Sequence, residues 1–471
     1  MNAKIFFGSN EATKENLSER KSPYSGDVVS TAPICDSDDT IKALKIAESA
    51  TKSAKASTLS QRCSWLLDVA KKLKENKEDI AQTITNEVGK PIAFARVEVD
   101  RCIETVTLSA ETMRTMHGET INTDAMASGK KTLAYFSRVP VGVVACITPF
   151  NFPLNLVAHK LAPALVAGNT VVLKPTPEAP LTAYKFAKLF IESEFAIKDA
   201  LSVVYGDAEV GGTLVKSDIP RVISFTGSVP VGNIITKSAG IKKVGLELGG
   251  NAATYVDSSA DLDLAASRCA LGAFVNSGQV CISLQRIYVD AKVYDKFAQK
   301  MADETKKLKV GSPYDDDTFM GPLIDDESAD RAMSWVENAI KEGAKALLEP
   351  RKDGRMFYPC VMADVRDDMA IVCEEVFAPI VSLVKVENFD DALPRMNNSP
   401  YGLQFSVFTN DLKLTQRAID ELDAGGIVIN DMPTLRFDIQ PYGGVKLSGV
   451  GREGPRFAIE EMTEIKSVVI C

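Results

Sequence analysis

The sequence predicts an α/β protein with two parallel sheets, preceded by a helical block. Three observations carry this. Strand-like and helix-like segments alternate from Gly142 onward, in two series that break near Gly249-Gly250. Short, wholly apolar runs such as Val143-Val-Ala-Cys-Ile147 suit strands buried on both faces, as parallel sheets require. The 471 residues are 45% hydrophobic and 25% charged, ordinary values for a soluble globular chain with room for two or three domains.

The elements follow in order. Residues 39–57 place Ala43, Ala47, Ala50 and Ala54 at near-helical spacing. Residues 60–74 and 77–89 repeat the amphipathic pattern, the second stopping at Gly89. One longer helix is expected over 92–116. Residues 130–139 read as a strand charged at one end; an edge or intersubunit hairpin and a plain surface hairpin both fit. The first alternating series has strands at 143–147, 170–173, 201–205, 222–225 and 243–246, with helices at 156–167, 182–194, 211–216 and 231–239. The second has strands at 252–256, 287–289, 380–386, 406–409 and 426–429, with helices at 262–276, 294–308 and 328–342. No repeat or low-complexity linker intervenes, so tightly packed domains are expected.

Composition narrows the function. A net charge of −9 with no long basic run disfavours nucleic acid as the main partner. No apolar stretch is long enough for a bilayer, and the N-terminus lacks the features of a signal peptide, so no membrane partner is expected. Nine cysteines without CxxC pairs read as reduced thiols of a cytoplasmic protein. Two histidines, His117 and His159, are too few for a metal site or a Cys-His dyad, and no metal is expected. His159, on an apolar helix, reads as structural or cavity-lining. Arg101 reads as a helix surface charge ahead of a substrate anchor.

Two motifs carry candidate chemistry. Cys281 sits in Asn276-Ser-Gly-Gln-Val-Cys-Ile-Ser283, a tight Gly-containing turn, and Glu247 heads Glu247-Leu-Gly-Gly-Asn251 one helix upstream. A thiol paired with a carboxylate that can relay a proton suits covalent catalysis on a carbonyl. Alone, a cysteine is more often a small core residue. Three loops follow strands of the first series: Thr148-Pro-Phe-Asn-Phe-Pro153, Lys174-Pro-Thr-Pro177 and Phe225-Thr-Gly-Ser228. Ligands of parallel sheets bind beyond the carboxyl ends of the strands. Lys174 suits ribose hydroxyls or a phosphate, and Ser228 with the N–H groups of the following helix suits a pyrophosphate. The GxGxxG fingerprint is absent, so a nucleotide site and structural turns both remain open.

Together these motifs resemble the aldehyde dehydrogenase superfamily, in the family's own order. The likeness rests on TPFNFP at 148–153, VVLKP at 171–175, FTGS at 225–228, LELGG at 246–250, GQVC at 278–281, EEVFAP at 374–379 and PYGGVKLSGVGREG at 441–454. The resemblance implies a Rossmann-like coenzyme domain (1–118 and 139–248), a second α/β catalytic domain (249–452) and oligomerisation segments (119–138 and 453–471). It implies a homo-oligomer, dimer or tetramer. Cys281 would attack the aldehyde carbon, Asn151 and the Cys281 N–H would hold the oxyanion, and Glu247 would activate water against the thioester. Cofactor contacts are implied for Ile147, Thr148, Pro149, Phe150, Lys174, Thr176, Pro177, Gly211, Phe225, Thr226, Gly227, Ser228, Leu248, Gly249, Glu375 and Phe377. Lys174 would hold the adenosine ribose and Glu375 the nicotinamide-side ribose.

Members that prefer NAD often carry a Glu three residues after the lysine; here Pro177 stands there and Glu178 comes one later. The expected cofactor is therefore NADP or NAD, with NADP ahead. Ile282 and Arg436 are the candidate substrate contacts. The segment Asp431-Met-Pro-Thr-Leu-Arg-Phe-Asp438 and GQVCISLQRIYV resemble the branch containing lactaldehyde and non-phosphorylating glyceraldehyde-3-phosphate dehydrogenases. A small hydroxylated or anionic aldehyde is the expected substrate, with succinate semialdehyde the competitor. Three other classes stand as rivals. A CoA-acylating relative would generally lack Glu247, a non-enzymatic scaffold would tend to lose Cys281 or Glu247, and a thiol hydrolase would need a histidine partner.

Overall fold

The computed structural model describes residues 2–471. Five parallel strands form the centre of the first sheet, in the order Leu201–Val203, Thr170–Lys174, Val143–Ile147, Pro220–Thr226, Lys243–Glu247. The chain runs from 143 outward to 201 on one side, then returns to 220 on the other. This reversal opens a crevice at the carboxyl ends of Val143–Ile147 and Pro220–Thr226, the place where such sheets bind ligands. Every residue of Val143–Ile147, Thr170–Lys174 and Leu201–Val203 is buried, as their largely apolar runs imply.

Both edges of this sheet are closed by antiparallel strands that the sequence pattern does not announce. The hairpin Ile5–Phe7/Asn10–Ala12 pairs Phe6 with Val203, and Gly449–Val450 pairs with Leu246 and Glu247. The expected catalytic segment 249–452 thus sends one short strand back to the first sheet. A second hairpin, Leu17–Lys21/Val28–Pro33, also precedes the first helix, so the opening third is less helical than the periodicity indicates.

The second sheet has the order Lys345–Ala346, Cys360–Ala363, Ile380–Val386, Leu284–Asp290, Ala252–Val256, Gln404–Phe408, Gly426–Ile429, parallel except at the first strand. Alternation splits its side chains between two cores: Tyr255 and Tyr288 pack on one face, Val256 and Val289 on the other. Residues 130–139 prove to belong to a hairpin, Glu119–Asn122 with Leu133–Pro140, whose second strand pairs over eight positions with Thr463–Ile470. Ile121, Leu133, Ile465, Val469 and Ile470 are exposed there.

The helix expected over 262–276 ends at Phe274. Asn276 and Ser277 adopt left-handed backbone (φ 51° and 55°), which turns the chain sharply towards Cys281. Ser277 Oγ donates to the Gly321 carbonyl at 2.8 Å, which helps hold the turn.

Among the described residues, no helix is long and apolar enough to cross a membrane.

Candidate active site

The loops after Val143–Ile147 and Pro220–Thr226 open into one cavity of about 640 Å³ between the two sheets. The structure brings Cys281, Glu247, Asn151, Ile282 and Arg436 to its wall. Pro149, Phe150, Thr226, Gly227, Ser228, Leu248, Gly249, Glu375 and Phe377 line the same space. The other expected cofactor residues lie outside that wall, at the same end of the sheet. Ile147 stands level with Lys174 on one neighbouring strand and with Phe225 on the other. The Thr148 N–H donates to the Lys174 carbonyl at 3.3 Å. The Lys174 stem lies against Gly211, the Phe225 ring against Gly227, and Pro177 is exposed beside buried Thr176.

Two glycines explain how the thiol and the carboxylates come so close. A Cβ at Gly250 would collide with the Cys281 carbonyl, and one at Gly249 with the Glu375 carboxylate. The Gly250 N–H donates to Glu375 Oε1 at 3.0 Å. LELGG and EEVFAP therefore act as one unit behind Cys281. Burial raises the Glu375 carboxyl to about 7, despite the Gly250 N–H and Arg331 nearby.

Cys281 is partly open to the cavity, and its Sγ lies 3.0 Å from the Tyr442 hydroxyl. Burial pushes the thiol up to about 11, with the Tyr442 hydrogen bond opposing it. Val280, Ile282, Leu403 and Tyr442 form a small apolar cluster around it, with Phe152 alongside. Ile282 is thus packing as well as wall. The Asn151 side chain donates from Nδ2 to the Gln279 carbonyl at 3.1 Å and accepts from the Phe152 N–H. That fixes the amide two residues from Cys281 and leaves its second N–H uncommitted. The Cys281 N–H finds no backbone acceptor among the described residues. These are two donors suited to a developing oxyanion.

Glu247 is buried at 6% exposure, and its Oε2 has no partner. Burial, then the nearby Glu453 carboxylate, hold its pKa well above the usual carboxylate range. A carboxyl group tuned upward in this way is suited to general-base work near neutral pH.

A buried ionic network stands behind the cavity. Arg101 Nε and Nη2 bond Asp438 at 2.9 and 2.7 Å, and His159 Nε2 lies 2.9 Å from the same carboxylate. Lys160 Nζ and Arg436 Nη2 bond Glu453 at 3.0 and 3.2 Å. Arg101 is therefore not a plain helix surface charge: it lies on the cavity wall, oriented by Asp438. Sequence reasoning missed this because Asp438 is 337 positions away in the chain. Burial and Arg436 lower the His159 pKa, and Arg436 Nη2 lies 3.2 Å from the same Nε2.

The Asn151 loop has a second unforeseen support. Glu98 Oε1 accepts from the Leu154 and Asn155 N–H groups at 2.9 and 3.1 Å, and its other oxygen pairs with buried Lys90. Lys90 also lies 3.9 Å from the Phe152 ring centre. A signal was present: Glu98 falls in the stripe Ala95, Val99, Cys102, Val106 that the helix buries. Glu98→Ala would strand Lys90 in the interior. The expected loss of stability is about 3–5 kcal/mol in urea unfolding, with Asn151-dependent activity falling in parallel.

The cofactor readings can be tested for fit. The Thr148 and Thr226 hydroxyls are buried at the strand ends without partners, as expected where a polar ligand supplies them. Ser228 precedes the helix Val229–Ser238, and its side chain makes no capping bond, which leaves hydroxyl and helix N–H groups available to an anion. The residues present thus fit a nicotinamide dinucleotide.

A doubly flanked parallel sheet whose crevice opens onto an accessible thiol and a proton-accepting carboxyl defines an oxidoreductase that works on carbonyl groups. The aldehyde dehydrogenase family model matches residues 10–468. The chain is 42% identical to a 3-sulfolactaldehyde dehydrogenase of Priestia megaterium, over 98% of this chain and 96% of the relative. It is 39% identical to a lactaldehyde dehydrogenase of Methanococcus aeolicus, over 96% and 97%. Its structure matches that of an NADP-dependent glyceraldehyde-3-phosphate dehydrogenase from Bacillus halodurans complexed with NADP. That match has a TM-score of 0.98 at 33% identity, over 100% of this chain and 99% of the other. The chain belongs to the aldehyde dehydrogenase family, and it is an enzyme that oxidises an aldehyde to its carboxylic acid with a nicotinamide cofactor.

Proposed function

We propose that the enzyme oxidises a small anionic or hydroxylated aldehyde through a covalent Cys281 intermediate released by water. One observation carries the substrate reading. Two guanidinium groups, Arg101 and Arg436, stand on the cavity wall, held from behind by the buried carboxylates of Asp438 and Glu453. Such cationic donors in a partly dry cavity favour an aldehyde bearing a sulfonate, phosphate or carboxylate. The relatives named for 3-sulfolactaldehyde, lactaldehyde and glyceraldehyde 3-phosphate support the same range.

Cys281 attacks the aldehyde carbon as its thiolate, and the Asn151 amide and Cys281 N–H hold the oxyanion that forms. Donors so placed contribute roughly 3–4 kcal/mol each to such steps. A nicotinamide held beside Phe377 and Glu375 would supply the hydride acceptor that turning the thiohemiacetal into a thioester requires. Glu247 then takes a proton from water, which attacks the thioester carbonyl and returns Cys281 as the leaving thiolate. Glu453 and Lys160, adjacent to Glu247 electrostatically, set how readily it gains and loses that proton. Water as acyl acceptor follows from Glu247 and argues against CoA.

Lys174, Thr176, Ser228 and Glu375 would hold the cofactor. The Thr176 hydroxyl donates to the Glu178 carboxylate, which acts on the Lys174 ammonium more strongly than Asp207 does. A carboxylate beside Lys174 and Thr176 would repel a 2′-phosphate held by them, which supports use of both NAD and NADP and weakens the preference for NADP. Glu178→Gln is expected to raise the ratio of kcat/KM for NADP over NAD about tenfold, the repulsion removed amounting to about 1.4 kcal/mol. An unchanged ratio would remove Glu178 from cofactor selection.

The exposed apolar strand edge near Leu133 and Ile470 supports a homo-oligomer, dimer or tetramer. The nine unpaired cysteines support a cytoplasmic setting. An aldehyde panel scored by kcat/KM tests the substrate reading. Sulfolactaldehyde, glyceraldehyde 3-phosphate and succinate semialdehyde are expected to exceed uncharged aldehydes of equal length by about tenfold or more. Equal values would contradict it, and the lactaldehyde value ranks hydroxyl against charge recognition.

A further inference from the structure

Tyr442 has no role in the reaction as derived above, yet its hydroxyl is the one polar side-chain group in hydrogen-bond contact with Cys281 Sγ among the described residues, at 3.0 Å. The ring is buried at 5% exposure, wedged among Val280, Ile282 and Leu403, so the hydroxyl has no freedom to swing elsewhere. The Arg436 guanidinium lies 3.7 Å from the ring centre on its face. That cation is itself held by Glu453. A cation over a phenol ring draws electron density from it and strengthens the hydroxyl as a donor. Two further facts bear on direction. A neutral thiol and a hydroxyl can each donate to the other, but a thiolate can only accept. Val280, Ile282 and Leu403 pack on the same cluster, and among the described residues no other side chain hydrogen-bonds the sulfur, so an ionised Cys281 has few partners to replace lost water.

We propose that Tyr442 is a further catalytic residue: its hydroxyl donates a hydrogen bond to the Cys281 thiolate, with the Arg436 cation over its ring reinforcing that bond. The hydroxyl keeps its proton throughout; it fixes where the sulfur points and favours its ionised form. The arrangement couples the two ends of the cavity. An anionic substrate drawn to Arg436 meets the same side chain that backs the ring touching the nucleophile. This inference rests on Cys281 being the nucleophile.

The test reads the thiol directly, without substrate. The pH dependence of iodoacetamide alkylation, mapped to the Cys281 peptide by mass spectrometry, is compared between the wild-type enzyme and Tyr442→Phe. Melting temperature and cofactor binding by fluorescence serve as checks on folding. Loss of a hydrogen bond to a charged group is expected to move the midpoint up by about one unit, and to slow alkylation about tenfold at any pH below it. Arg436→Met is expected to move the midpoint the same way by less. A midpoint that stays in place would reduce Tyr442 to packing. A midpoint that falls would mean that the thiol donates to the phenol, the opposite direction. Either result overturns the proposal. A failure of the aldehyde reading shows separately, as turnover that survives Cys281→Ala.

Discussion

Cys281→Ala is expected to abolish aldehyde oxidation, with kcat falling by on the order of 10⁴-fold or more, as when other covalent enzymes lose their nucleophile. Cofactor binding should survive, because Lys174, Thr176, Ser228 and Glu375 belong to elements other than the Cys281 turn. The substitution removes little volume, and Val280, Ile282 and Leu403 still pack around the site. Stability should therefore change little, which separates a catalytic loss from a folding defect. Stopped-flow NADPH or NADH formation and cofactor fluorescence measured on the same preparation check both halves. Cys373 and Cys471, the exposed thiols, offer no substitute, since neither lines the cavity.

Glu247→Gln carries the second large effect, and it divides the reaction. The acylation half needs Cys281 and the oxyanion donors, so a burst of about one equivalent of reduced cofactor per active site is expected to remain. The steady state then slows by roughly 10²–10⁴-fold, the usual worth of a positioned general base. The pH dependence has a definite sign. Burial and Glu453 raise the Glu247 pKa, so the carboxyl is protonated and idle at low pH and becomes a base as pH rises through that value. Wild-type kcat should climb with pH over this range, and the Gln variant should lose that acidic limb. Rapid-quench and steady-state profiles of both proteins measure it. A variant with neither burst nor turnover would assign Glu247 to acylation instead.

The sequence was legible where local pattern and long-range structure say the same thing. Strands such as Val143–Ile147 lie inside a parallel sheet, so both faces are buried and the run is apolar throughout. The loops that follow them are placed by topology, so TPFNFP and FTGS could be assigned to one crevice from their position after a strand. Glu247 and Cys281 were legible as chemistry because Gly249, Gly250 and Gly278 mark close backbone approaches around them. Their catalytic roles remain proposals that the two variants test.

Other parts depend on partners that no local pattern reveals. The strand Ile5–Phe7 is three residues long and finds its place only by pairing with Leu201–Val203. The helix expected to reach residue 276 stops at Phe274, because Asn276 and Ser277 adopt left-handed backbone that the sequence does not announce. Arg101, Asp438 and Lys90 each look like solvated charges on their own segment, and only Glu98 shows itself locally, by falling in the stripe its helix buries. They become a network only when the first long helix meets the Asn155–Val166 helix and the 431–440 loop. Tyr442 was visible inside PYGG, but nothing in that motif told that its hydroxyl would meet the sulfur.

The most direct test of the account is the mass of the Cys281 peptide in Glu247→Gln enzyme, quenched in acid within the burst. With 3-sulfolactaldehyde and NADP, the account predicts one acyl group, the mass of the aldehyde less two hydrogens, on Cys281 and on no other cysteine. It should be stable in acid and released by hydroxylamine. An unmodified Cys281 under conditions where reduced cofactor has formed, or an acyl group on another residue, would contradict it.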